Sequence, residues 1–333
     1  MQQDDRLLPG AGADLLKTAV ADPGAELCSA LSARRGLPLI GSAGCYDAIL
    51  AFELDPPWTP RLAGSRASDP QLDSVIGRIG VQARAVRLLA LEPGAERHDF
   101  VRILWLSKPA GAFAAYSRRE YAVARDQLAL TLEALALVGI AEADELACAP
   151  GQRDILVCTH GARDACCGKF GYPLFCEFVE ASTQRAAGST PLRVWRTSHL
   201  GGHRFAPTLI DLPSGRMYGR MAAGDAQAVI DGGAKLRERL PSIYRGRCAL
   251  PEAAQLVERQ LWLQMGEPFE DAVLSWSVES QAGLWHVRLA AECRRHPGVA
   301  VDARVERADV DAIATPASCG RDPEAEAPWR IVA

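Results

Sequence analysis

This sequence is short of lysine, of aromatic residues and of long apolar runs. Only Lys17, Lys108, Lys169 and Lys235 stand among its 37 basic residues, and no Lys/Arg run forms a patch for a polyanion. The formal net charge is −4, so neither nucleic acid nor an anionic membrane surface is an expected partner. No stretch approaches the roughly 18 uninterrupted apolar residues of a membrane span, and the most apolar one, residues 128–140, is broken by Glu133. Residues 1–17 lack a basic start leading into an apolar core, so they do not read as a secretory signal. A glycine-rich dinucleotide fingerprint and a phosphate loop are both missing, which argues against a bound flavin or nicotinamide. There is no Cys-x-x-Cys. These absences predict a cytoplasmic protein whose thiols are kept reduced.

What is present is an ordinary globular composition, 48% hydrophobic and 23% charged over 333 residues, with length for two or three domains. Apolar strand patterns lie at 46–56, 86–91 and 100–106. Helical patterns lie at 69–80 and, as one long helix, at 118–138, where Tyr121, Leu128, Leu132 and Leu135 make a stripe. After Pro150-Gly151 the order recurs: a strand at 154–158, a helix at 170–187, a strand at 192–197, a hairpin turning at 213–215 and a helix at 225–240. The expected fold class is α/β, two tandem thioredoxin-like units with mixed sheets flanked by helices, followed by a small α+β region. Their boundaries are read at 1–145, 146–244 and 245–333, the first unit carrying no cofactor ligands.

Five of the ten cysteines fall between residues 148 and 176. Cys158 and Cys167 enclose eight residues rich in small and polar types, and His199-Leu-Gly-Gly-His203 follows. Each pair comes just after a predicted strand, where loops at the carboxyl edge of an α/β sheet converge. Two thiolates and two imidazoles form a ligand set suited to iron or zinc. Cys166 competes with Cys167 as the second sulfur. Cys148 and Cys176 read instead as buried small side chains, and Trp195 as core packing. His160 reads as a loop histidine with a local hydrogen bond, or else as an alternative ligand or a proton relay. Arg163, Lys169, Arg196 and Arg204 flank the ligands, where a cation would stabilise an added electron. A structural zinc site fits the same ligand types, although eight residues between cysteines is more than zinc knuckles use. A thiol–disulfide oxidoreductase is the other alternative, opposed by the strain of a vicinal Cys166–Cys167 disulfide.

The stretches Cys158-Thr-His-Gly-Ala-Arg-Asp-Ala-Cys-Cys-Gly168, Trp195-Arg-Thr-Ser-His-Leu-Gly-Gly-His-Arg-Phe-Ala-Pro-Thr208 and Pro213-Ser-Gly-Arg-Met-Tyr-Gly-Arg220 resemble the sucrase/ferredoxin-like family. The likeness covers about residues 150–240. It implies a thioredoxin-like ferredoxin domain with a [2Fe–2S] cluster on Cys158, Cys167, His199 and His203. The implied role is electron carriage between an external reductase and an acceptor, rather than catalysis. Imidazole ligands make a cluster less negative and bring ring nitrogens that exchange protons, so a relatively high, pH-dependent potential is expected. No pair of carboxylates supports the sucrase part of the family name.

Overall fold

The computed structural model describes residues 26–94, 98–186, 188–266, 269–293 and 296–332; the reading of residues 1–17 falls outside them. After helix α1 (Cys28–Arg34), strand β1 (Ala48–Glu53) passes through α2 (Pro70–Gln82) to a parallel β2 (Val86–Leu91). Antiparallel β3 (Val101–Ser107), β4 (Ser117–Val123) and β5 (Asp144–Leu146) follow, with α3 (Leu128–Val138) between the last two. The chain then repeats the plan. Strand β6 (Arg153–Cys158) leads through α4 (Ala165–Thr183) to a parallel β7 (Leu192–Thr197), and β8 (Leu209–Leu212), β9 (Arg216–Tyr218) and β10 (Tyr244–Arg247) extend the other edge antiparallel. The protein is therefore mixed α/β, as expected.

The two halves share one ten-stranded sheet, in the order β10-β9-β8-β6-β7-β2-β1-β3-β4-β5. Their seam is the antiparallel contact of β2 with β7 at Leu91 and Thr197. Alternation along the strands explains why the sequence shows continuous apolar runs rather than a polar face. On β1, Leu50 and Phe52 pack with α2 and α3, while Ile49 and Ala51 face the other way. On β6, Ile155 and Val157 pack toward α4, while Leu156 and Cys158 join Ile49, Ala51, Leu104 and Leu106 in one cluster. The sheet thus curls until the inner faces of its halves meet, each half keeping its helices outside.

The C-terminal region is a four-stranded sheet of β11 (Val273–Gln281), β12 (Leu284–Cys293), β13 (His296–Arg307) and β16 (Trp329–Val332), plus the hairpin β14 (Ile313–Pro316) and β15 (Pro323–Glu326). Val287, Leu289 and Val305 share a core with α7 (Glu252–Met265) and with Phe178 of α4. No helix is long and apolar enough to cross a membrane among the described residues.

Three local expectations are corrected. Residues 117–123 are strand β4 rather than the start of a helix, and the helical stripe begins only at Leu128. Inward-facing Glu120 is held by Arg118 on the same strand and by Arg102 and Arg193, which reach it from β3 and β7. The helix expected at 225–240 is two helices, α5 (Asp225–Asp231) and α6 (Gly233–Ile243), which part at Gly232. Cys148 and Cys176 are exposed, not buried. On α4, Leu174 and Phe178 share the inward face, and Cys176, two residues from each, falls on the opposite side.

Candidate metal centre

Strand β6 ends at Cys158 and its parallel neighbour β7 ends beside it at Thr197. Asp164 caps α4 by accepting a hydrogen bond from the Cys166 amide at 2.9 Å, so Cys167 lies in the first helical turn, turned back toward β6. That approach needs Gly171, where a Cβ would sit 1.9 Å from the Cys158 carbonyl oxygen. After β7, His199 and His203 are separated by Gly201 and Gly202, both at positive φ (89° and 71°). The short turn His203–Phe205 then closes the loop.

Cys158, Cys167 and His199 present ligand atoms within 4.8 Å of one another. Nδ1 of His199 lies 3.7 Å from Sγ of Cys167, and its Nε2 lies 3.3 Å from Nδ1 of His203. The 3.3 Å separation is a hydrogen-bond distance between the two rings, and Nε2 is not the His199 nitrogen that faces Cys167. Both cysteines are only 1% exposed, and the His203 side chain 12%. Nε2 of His203 faces away from His199, 3.7 Å from Oδ2 of Asp164, with no closer hydrogen-bond partner among the described residues. The donor types fit a metal, and Cys158, Cys167 and His199 gather around one point, whereas His203 stands outside that group.

The electrostatics prepare the donors. The Cys167 thiol donates to Cys158, which with His199 beside it holds the Cys158 thiol well below the usual range. The same hydrogen bond, with burial, holds Cys167 well above it. Burial pushes the His203 imidazole down, toward the neutral form that ligates metals.

The flanking residues divide. His160 is buried, makes an edge contact with Trp58 and accepts a hydrogen bond on Nδ1 from the His199 amide at 3.2 Å. That bond requires a neutral ring, and burial favours one. Arg163 and Lys169 are exposed. Arg196 pairs with Glu92 at 2.7 Å, and Arg204 with Glu326 at 2.6 Å. Cys166 points away from Cys167, toward Cys28 and Cys319. Trp195 is buried and donates to Asp154 at 2.7 Å.

Sequence reading missed three supports. Arg87, on β2, donates to the His199 carbonyl. Arg245, on β10, is buried and donates to the Gly201 carbonyl at 3.0 Å and the Ser42 carbonyl at 2.6 Å. Burial lowers its pKa to about 10, still charged at neutral pH. A Cβ on Gly202 would lie 2.3 Å from its Nη2, so the glycine and the arginine require each other. The usable signal was an arginine inside a short buried strand. Asp164, the third, was legible only as a residue preceding a helix.

A family model described as sucrase/ferredoxin-like matches residues 40–246, more than half of the chain. Two relatives, each called altered inheritance of mitochondria protein 32, are similar over shorter stretches. The one from Meyerozyma guilliermondii is 33% identical over 95 residues, covering 28% of this chain and 33% of the relative. The one from Debaryomyces hansenii is 32% identical over 105 residues, covering 29% of this chain and 36% of the relative. The chain thus spans about a third of the length of these curated relatives. No solved structure matches it significantly.

Proposed function

The chain belongs to the sucrase/ferredoxin-like family, and we propose that it carries single electrons on a [2Fe–2S] cluster held by Cys158, Cys167, His199 and His203. The observation that carries this reading is the meeting of Cys158, Cys167 and His199 at the ends of β6 and β7, with Nδ1 of His203 3.3 Å from the far ring nitrogen of His199. The order β7-β6-β8-β9 around a parallel β-α-β unit supports the thioredoxin-like ferredoxin layout. When bound, such a cluster takes up and releases one electron at a time, at a potential that imidazole ligands raise. Arg245 and Arg87 hold the carbonyls of the His199–Gly201 turn, and His160 holds the His199 amide, so the imidazoles are set before any ion arrives. Asp164 faces Nε2 of His203 and favours a proton there, leaving Nδ1 free to ligate. An external reductase and an acceptor complete the reading, since no nucleotide or flavin motif is present. A cytoplasmic location, with all ten cysteines free, belongs to the same proposal.

The test is anaerobic purification followed by visible and EPR spectra. A red-brown protein whose spectrum shifts toward the all-thiolate type in His199→Cys and His203→Cys supports the ligand set. A colourless protein, as a zinc site would give, or spectra unmoved by either substitution, overturns it. A midpoint potential that stays flat between about pH 6 and pH 10 would remove the proton coupling expected of imidazole ligands.

A further inference from the structure

Beside this centre lies a second cluster that the electron-carrier reading does not use. Cys28 of α1, Cys166 and Asp164 at the start of α4, and Cys319 between β14 and β15 bring four ligand atoms within 4.8 Å of one another. The Sγ atoms of Cys28, Cys166 and Cys319 form a triangle with edges of 3.5, 3.3 and 3.6 Å. Oδ1 of Asp164 lies 3.9 Å from the Cys28 sulfur and 3.4 Å from that of Cys319. Around a tetrahedral zinc, with sulfur at about 2.3 Å and oxygen at about 2.0 Å, sulfur–sulfur edges are about 3.8 Å and sulfur–oxygen edges about 3.5 Å. The observed edges fall close to both, far beyond a disulfide bond of about 2.05 Å. They are also too short for ligands spread over several irons of a cluster.

We propose that Cys28, Asp164, Cys166 and Cys319 form a closed structural site for one zinc-class divalent cation, distinct from the Cys158 centre and independent of what that centre binds. Three thiols and a carboxylate are the soft and borderline donors such an ion takes. Binding releases the thiol protons to solvent and leaves three thiolates on the metal. Polar groups already face the cluster. Ser29 turns its backbone N–H and its hydroxyl to the Cys166 sulfur. Oδ2 of Asp164 accepts from the Ser318 hydroxyl at 2.8 Å and the Cys319 amide at 3.0 Å, which aims Oδ1 at the sulfurs. Oδ1 also accepts from the Cys166 amide. All four positions belong to protein atoms, so no coordination place is left for a substrate, as befits a structural site. The ion would fasten the first described helix and the C-terminal hairpin onto the start of α4, which carries Cys167.

The test uses the full chain, isolated anaerobically from zinc-supplemented cells, with elemental analysis and zinc-edge X-ray absorption. One zinc per chain with three sulfur neighbours and one oxygen is the expected result. Zinc content should survive His199→Ala with His203→Ala, and Cys319→His should retain zinc with two sulfur neighbours instead of three. No bound zinc would overturn the proposal. So would a shell of two sulfurs and two nitrogens, which would place the ion on the Cys158 set, or a disulfide among Cys28, Cys166 and Cys319. The wild-type absorption spectrum decides the matter even if a variant fails to fold.

Discussion

Gly202 shows how much of the centre depends on one missing side chain. Its φ of 71° is costly for other residues, and its face is filled by the Arg245 guanidinium. Gly202→Ala is therefore expected to lose about 2 kcal/mol, read as a lower denaturant midpoint with an unchanged m-value. Unchanged stability would mean that the turn can move off Arg245. At this scale the sequence was legible in part. The ligand types stood out, because they share a short stretch of chain. Cys28 and Cys319 did not, because three thiols separated by 138 and 153 residues have no local signature. Cys166 looked like a rival of Cys167 only until its helical position was known.

Elements formed where their local signals were complete. Helix α2 begins at Pro70 with Asp69 as its cap, which accepts from the Leu72 amide at 2.8 Å. Asp69→Ala should cost about 1 kcal/mol, and the loss should appear in thermal melts while Asp69→Asn stays close to wild type. Strand β4 was misread for the opposite reason. Tyr121 falls in step with the helical stripe of Leu128 and Leu132, whereas its true partners on β3 and β5 are set by the sheet. The parallel pair β6–β7 was legible because each strand is a short apolar run between turn residues. Its position beside β2 was not, since a single seam pair leaves no pattern in either strand.

At the scale of the molecule, curling of the sheet brings β4 against β6 and β7. Glu120 there meets Arg102, Arg118 and Arg193, and Arg118 and Arg193 also hold Asp154. Burial opposes ionisation of Glu120, but Arg193, Arg118 and Arg102 prevail and hold its pKa at about 2, against an ordinary 4.5. A carboxylate with a depressed pKa lends stability that is complete above the unfolded value and drains away as pH falls toward the folded one. The contribution is of order 3 kcal/mol, lost between about pH 4.5 and pH 2. Glu120→Gln should lower stability at neutral pH and flatten that part of the acid-unfolding curve; an unchanged slope would contradict this account. A fragment of residues 146–244 should fail to fold cooperatively, because Leu156, Ile210 and Leu212 lose Ile49 and Leu104, and Phe178 loses Val257 and Leu261. A dispersed amide spectrum from that fragment would refute the expectation. Cys166 and Cys167, adjacent in α4, serve opposite neighbourhoods, and neighbouring residues on a helix point about 100° apart. The stretch from Thr159 to Asp164 thus works like the index pin of a dial. Deleting one residue from it would turn Cys167 toward Cys28 and leave Gly168 facing Cys158, and so spoil both together.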